Sequence, residues 1–203
     1  LGRQISLPFV LGNHKGAAME LSEKTLEHEY IYKGKIINLR LDKNLLPNGK
    51  TAMREIVEHS GGVTVAALTA DNELIFVRQF RCPYGELVLE LPAGKIDPDE
   101  SPLVCGKREL MEEADASAGR YIDLGKFYPT PGYCGETIHM FAALDLVFTR
   151  QKLDDDEFLE IVKIPLEQAV DMIKNNEIRD GKTQAAVLKL YLLLKDGFNT
   201  NHS

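Results

Sequence analysis

Hydrophobic and polar positions alternate with a two-residue period from Ile37 to Asp42, where Ile37, Leu39 and Leu41 interleave with Asn38, Arg40 and Asp42. That period is the signature of a half-buried strand. Pro47-Asn48-Gly49 follows as a hairpin turn and Thr51 to Glu58 reads as the return strand, so Tyr30 to His59 predict an antiparallel β-meander. Gly61-Gly62 punctuates the chain as a joint. Beyond it, Val63 to Thr69 and Leu74 to Phe80 read as a second hairpin around Asp71-Asn72, and Leu87 to Leu91 as a short strand entering Pro92-Ala93-Gly94. Ser101-Pro102 opens a helix, with serine as N-cap and proline at the first helical position, that runs to about Ala114. Strands over Ile122 to Tyr128 and Ile138 to Asp145 follow, then an acidic loop at Asp154 to Glu157 and a strand to Ile164. Leu166 to Asn175 and Lys182 to Lys195 have helical spacing, with Asp180-Gly181 between them. The order strands, helix, strands, helices predicts an α/β (α+β) protein, an α/β/α sandwich around a mixed sheet and not a doubly wound parallel sheet.

Composition narrows the function. At 203 residues, 44% hydrophobic and 27% charged, the chain has the make-up of a globular protein with one sizeable core. A net charge of −7 argues against an electrostatic grip on nucleic acid. It leaves room for a phosphate substrate if metal ions bring the positive charge. No stretch is long and apolar enough to predict a membrane span. Cys82, Cys105 and Cys134 are odd in number and contain no C-x-x-C pair, so neither a disulfide framework nor a zinc site is expected, and thiols in a reducing cytoplasm are. Residues Leu1 to Ala18 lack periodicity and do not form a signal peptide; they read as an appended or unstructured extension, with Met19 as the expected natural start.

The chemistry concentrates between Gly94 and Ala116. Glu109, Glu112 and Glu113 stand at i, i+3 and i+4, so three carboxylates leave one helical face. Their mutual repulsion demands compensation by a cation or by water. Magnesium, a hard ion that takes six oxygens, meets that demand. It also neutralises a pyrophosphate and lowers the pKa of a bound water. The competing interpretation is a solvated acidic helix face.

This segment resembles the Nudix box, G-x5-E-x7-R-E-U-x-E-E-x-G-U with U aliphatic. Gly94, Glu100, Arg108, Glu109, Leu110, Glu112 and Glu113 fall in register, and Ala116 takes the last place. The family's final glycine is Asp115 here, a residue that still tolerates helix-ending geometry. The resemblance implies a Nudix-type sandwich and a hydrolase. It also implies divalent metal, Mg2+ or alternatively Mn2+, held by Glu109, Glu112, Glu113 and the Ala93 carbonyl, with Arg108 orienting the glutamates and Glu100 as a structural or outer acid.

From Glu23 to Lys195 the chain is similar to the ADP-ribose pyrophosphatase branch of that family. Its marks are LPNGK (Leu46 to Lys50), MREIVEH (Met53 to His59), VRQFR (Val77 to Arg81), LELPAGK (Leu89 to Lys95) and FYPTPGYCGE (Phe127 to Glu136). The branch's proline-glycine element, about sixteen residues past the box, matches Pro131-Gly132. By that resemblance Arg54, Arg81 and Gly132 contact substrate, arginine suiting phosphate or hydroxyl pairs through its planar fork. Tyr32, or Tyr30, stacks on adenine. Surface ion pairs for the arginines and sheet packing for the tyrosines are the plainer alternatives.

Glu157 is expected to be the general base, with Glu112 or Glu113 as the alternative and the acidic loop then only gating access. The implied reaction is cleavage of ADP-ribose to AMP and ribose 5-phosphate. The rivals are pyrophosphatases of other nucleoside diphosphate sugars, a nucleoside triphosphate cleanser, and a non-catalytic ADP-ribose-binding module. A homodimer exchanging N-terminal strands is implied as well, with residues 19–60 serving dimerisation and substrate contact and residues 61–197 forming the hydrolase domain.

Overall fold

The computed structural model describes residues 21–148 and 159–197. The segment 1–18 and Glu157 with its acidic loop lie outside the described residues. The meander forms as expected. Strands β1 (Lys24–Lys33), β2 (Ile37–Leu45) and β3 (Thr51–His59) pair antiparallel in sequence order as a separate three-stranded sheet. The turn between β2 and β3 closes where the Gly49 N–H meets the Leu46 carbonyl at 2.9 Å, with Gly49 at φ 79°. β1 is exposed along nearly its whole length.

The remaining strands build two sheets. One is mixed, with order β7 (Ala93–Lys95), β4 (Gly62–Ala67), β9 (Ile138–Phe148), β8 (Ala116–Phe127); β4 and β9 run parallel. The other is antiparallel, with order β10 (Leu159–Pro165), β5 (Glu73–Arg81), β6 (Glu86–Glu90).

Side-chain alternation along the buried strands divides the interior in two. Val63, Val65 and Ala67 of β4 and Phe141 and Ala143 of β9 pack with Cys105, Leu110 and Ala114 of helix α1 (Pro102–Ala114). Ala66 of β4 and Met140, Ala142 and Leu144 of β9 face the other way. They meet Ala169 and Val170 of α2 (Leu166–Lys174) and Ala186, Val187 and Leu190 of α3 (Gly181–Lys195). One helix below and two above give the expected α/β/α layers.

Two local expectations are corrected. β4 and β5 do not form a hairpin: they share a single bridge, Leu68 to Leu74, and then enter different sheets. β4 and the Leu74–Val77 half of β5 are buried on both faces, and each strand gains a longer ladder elsewhere, β4 with β9 and β5 with β10. The strand after α1 starts at Ala116, not Ile122. Asp115 adopts the left-handed conformation (φ 53°, ψ 28°), which reverses the chain at once and removes any loop. Among the described residues no helix is long and apolar enough to cross a membrane.

Candidate active site

Helix α1 is set by its caps. The Ser101 hydroxyl accepts from the Val104 N–H at 3.4 Å, Pro102 occupies the first turn, and Asp115 ends the helix with its N–H on the Leu110 and Met111 carbonyls. Within that frame the charge problem posed by three clustered glutamates is answered by Arg108. Its Nε and Nη2 each donate to Glu100 at 3.0 Å, and its Nη1 donates to Glu109 at 2.7 Å and Glu112 at 2.8 Å. Nη2 also reaches the Lys95 carbonyl at 3.3 Å. Glu113 is held differently: it accepts from the Ala93 N–H at 2.8 Å.

Both buried glutamates thus rest on one dipeptide. Glu113 is bonded to Ala93, and the Glu109 carboxylate covers the Cα of Gly94. Glu112 is the more open acid, with about a third of its side chain exposed.

The network shifts its members as expected for charge-assisted bonds. The bonds from Arg108 hold the Glu100 carboxyl down at about 2, and those to Glu100 raise Arg108 against the opposing effect of burial. Burial, with Glu100 nearby, pushes the Cys105 thiol up to about 12. That thiol is inert core, as expected for Cys105; Cys82 is by contrast exposed.

A cleft of about 450 Å³ opens beside the box loop, lined by Ala93, Gly94 and Lys95 together with Arg81, Asp180 and Lys182. Arg81 makes a two-pronged bridge to the buried Glu90, Nε to Oε1 at 2.6 Å and Nη2 to Oε2 at 2.8 Å. Lys182 also donates to Glu90, and it lies 3.1 Å from Asp180. Thr183 supports the same corner, its hydroxyl accepting from the Leu91 N–H at 2.9 Å.

The other expected substrate residues are not among those lining this cleft. Arg54 is on β3 and holds Glu23 at 2.6 and 3.1 Å. Tyr32 is 57% exposed on β1 and lies against Gly34, where a β-carbon would stand 2.5 Å from its ring. The Tyr30 hydroxyl donates to Glu58 at 3.4 Å. Gly132 is exposed in a loop whose Pro129, Thr130 and Glu136 do line the cleft. That loop clamps the meander to the domain: the Val57 N–H donates to the Tyr133 carbonyl at 2.8 Å, and the Gly135 N–H to the Val57 carbonyl at 2.9 Å.

Sequence reasoning missed Glu90, Asp180, Lys182 and Thr183. The available signal was Asp180-Gly181-Lys182-Thr183 at a helix start, which reads only as a helix boundary.

Among the described residues no three His, Cys, Asp or Glu side chains already converge as a metal cage. The donor set nonetheless fits a hard divalent cation, with three carboxylates and the peptide oxygen of Ala93 on adjoining backbone. Glu109 is seated over Gly94 and Glu113 on the N–H of Ala93, so two of those carboxylates already lie against the box loop. Glu109 and Glu112 would exchange an Arg108 bond for the ion.

The NUDIX domain model matches residues 51–187, and the model of the nucleoside diphosphate sugar hydrolase N-terminal domain matches residues 23–57. The chain is 40% identical over 178 residues to the ADP-ribose pyrophosphatase of Bacillus subtilis (strain 168), covering 87% of this chain and 95% of that one. It is 39% identical over 172 residues to the methanol dehydrogenase activator of Bacillus methanolicus, covering 84% and 93%. A solved structure described as an ADP compounds hydrolase superposes with a TM-score of 0.75 at 22% identity, over 87% of this chain and 97% of that one, which speaks to the fold. With the family model spanning most of the chain and its box residues gathered around Arg108, the protein belongs to the NUDIX family and is a hydrolase.

Proposed function

We propose that the protein hydrolyses the pyrophosphate bond of ADP-ribose to AMP and ribose 5-phosphate with Mg2+, Mn2+ being the alternative ion. The observation carrying this reading is the shared backbone of site and cleft. The Ala93–Gly94 peptide on which Glu109 and Glu113 rest is also the wall of a cleft that presents Arg81 and Lys182. Likeness to the Bacillus subtilis pyrophosphatase supports the substrate.

In this reading Glu109, Glu112, Glu113 and the Ala93 carbonyl hold the metal, which when bound neutralises diphosphate charge and activates water. Until then Arg108 bridges Glu109 and Glu112 and offsets their repulsion. Arg81 binds a phosphate or ribose hydroxyl through its planar donors. Glu157 takes the proton of the attacking water, with Glu112 or Glu113 as the alternative base. One phosphorus gains the water oxygen and the other phosphate leaves.

Arg54, Tyr32 and Gly132 complete the substrate site in a homodimer with exchanged N-terminal strands. Two features support this arrangement. Arg54 and Tyr32 do not line the cleft of their own chain, and β1 is exposed with Leu26 at 45% and Ile31 at 56%. A partner would cover that apolar edge. Residues 19–60 then serve dimerisation and substrate contact, and residues 61–197 the hydrolysis. The three free thiols accord with a cytoplasmic location.

The family model of the N-terminal segment favours a second reading, in which another nucleoside diphosphate sugar is the preferred substrate. A panel of ADP-ribose, other nucleoside diphosphate sugars and nucleoside triphosphates, ranked by kcat/KM in magnesium buffer, decides between them. ADP-ribose ranking first supports the proposal. Binding of ADP-ribose without release of AMP overturns it.

A further inference from the structure

The corner where β6 meets the start of α3 contains four charged side chains that the box does not account for. Glu90 is 2% exposed, and both of its oxygens are occupied: Oε1 accepts from Arg81 Nε, and Oε2 accepts from Arg81 Nη2 and from Lys182 Nζ. Lys182 is further steadied by Asp180, whose carboxylate also caps α3 through the Thr183 N–H at 3.0 Å. Arg81, Asp180 and Lys182 line the cleft, and Glu90 does not. The four formal charges cancel, so the buried carboxylate is compensated before any ligand arrives.

An isolated carboxylate this deeply buried would be a large liability. Burial pushes Glu90 upward, and the bonds from Arg81 and Lys182 more than reverse that, leaving it below the ordinary range. The geometry fixes more than charge. An arginine held through Nε and Nη2 has its guanidinium plane set and its Nη1 edge uncommitted to that bridge. Lys182, on the same acid, is held beside it instead of sweeping through solvent on its flexible stem. Two cations prearranged on one wall suit a ligand carrying two adjacent anionic groups, and prearrangement lowers the ordering cost of binding.

We propose that Glu90 is a positioning residue that acts through Arg81 and Lys182, presenting them as a rigid pair of cations to the diphosphate of the substrate, with Lys182 itself a diphosphate-binding residue. This rests on the hydrolase reading above and adds to it two residues from outside the box. Because the pair grips substrate and transition state alike, its loss raises KM more than it lowers kcat.

The test is steady-state kinetics on ADP-ribose with magnesium, using the full chain, beside thermal melts. Glu90→Gln is expected to raise KM about tenfold with kcat within about twofold. Adding Arg81→Lys to Glu90→Gln is expected to cost less than the product of the two single effects, because both disturb one unit. A folded Glu90→Gln protein with unchanged KM overturns the proposal, as do single effects that multiply independently. If Glu90→Gln does not fold, Lys182→Met carries the test, since it leaves the Arg81–Glu90 bridge in place. A KM increase of about fivefold, largely recovered in Lys182→Arg, supports the proposal, and an unchanged KM in Lys182→Met overturns it. Wild-type protein inactive on every diphosphate in the panel would instead sink the hydrolase reading itself, which keeps the two failures apart.

Discussion

Glu109 and Gly94 are in such close contact that the glycine has no room for a side chain: a β-carbon built there would stand 1.9 Å from Oε1 and 2.4 Å from Oε2 of the glutamate. The obstructing atoms are the far end of a flexible side chain, so Gly94→Ala is expected to displace the carboxylate and leave the fold standing. Misplacing a group at a reacting centre by about 1 Å costs on the order of 10²-fold in rate. The variant should therefore melt close to wild type while kcat/KM on ADP-ribose falls by that order.

Glu112 is the least buried member of the acid trio and makes one bond to Arg108. Glu112→Gln is expected to lower kcat by about 10²-fold or more. Its melting temperature should stay within about 3 °C, because a part-exposed ion pair contributes little. Chelation with EDTA should abolish turnover and added Mg2+ restore it. Undiminished hydrolysis in EDTA would remove the metal from the reaction.

Acid should loosen the box before the core. Glu100 titrates at about 2 in the folded chain against an ordinary 4.5, because Arg108 bonds its ionised form. The folded state therefore binds this proton less readily than the unfolded state. Its stabilisation is complete above the ordinary value and is lost as pH falls toward about 2. Melting temperatures measured from about pH 5 down to about pH 2 should drop, and the slope should be shallower in Glu100→Gln, which starts lower at neutral pH.

Thr183→Val keeps the shape of the side chain and removes the acceptor of the buried Leu91 N–H. A stranded buried donor costs about 1–3 kcal/mol. For a chain of this size, where about 1 kcal/mol shifts the midpoint by about 2–4 °C, the melting temperature should fall by about 2–12 °C.

Asp115→Gly should act in the opposite direction. The residue sits at φ 53°, a region that carries a penalty for any side chain, and aspartate only softens it. A gain of about 0.5 kcal/mol, or a rise of about 1–2 °C, is expected.

Sequence signals were good wherever the deciding contacts are local. Pro47-Asn48-Gly49, Ser101-Pro102 and the spacing of Glu109, Glu112 and Glu113 each act within a turn or two of chain, and each produces the element it predicts. Periodicity could not show that β4 would leave β5 for β9, because β4 and the Leu74–Val77 stretch of β5, buried on both faces, present no polar side to choose partners by. Nor could it separate Glu90 from the chain's other glutamates: the lysine that compensates it stands 92 residues further on. Arg54 and Tyr32 rest on likeness alone, and whether they line the cleft is a matter of how the meander docks, which no local pattern encodes.

The clasp that Thr183 and Lys182 make on Leu91 and Glu90 ties the approach to the box loop to a helix near the far end of the polypeptide. A fragment stopping short of residue 180 would contain every letter of the 94–116 signature and yet leave the entrance to it unfastened. Counting the 94–116 signature in a genome would score such a fragment as complete, whereas a match over residues 51–187 would show the clasp to be missing.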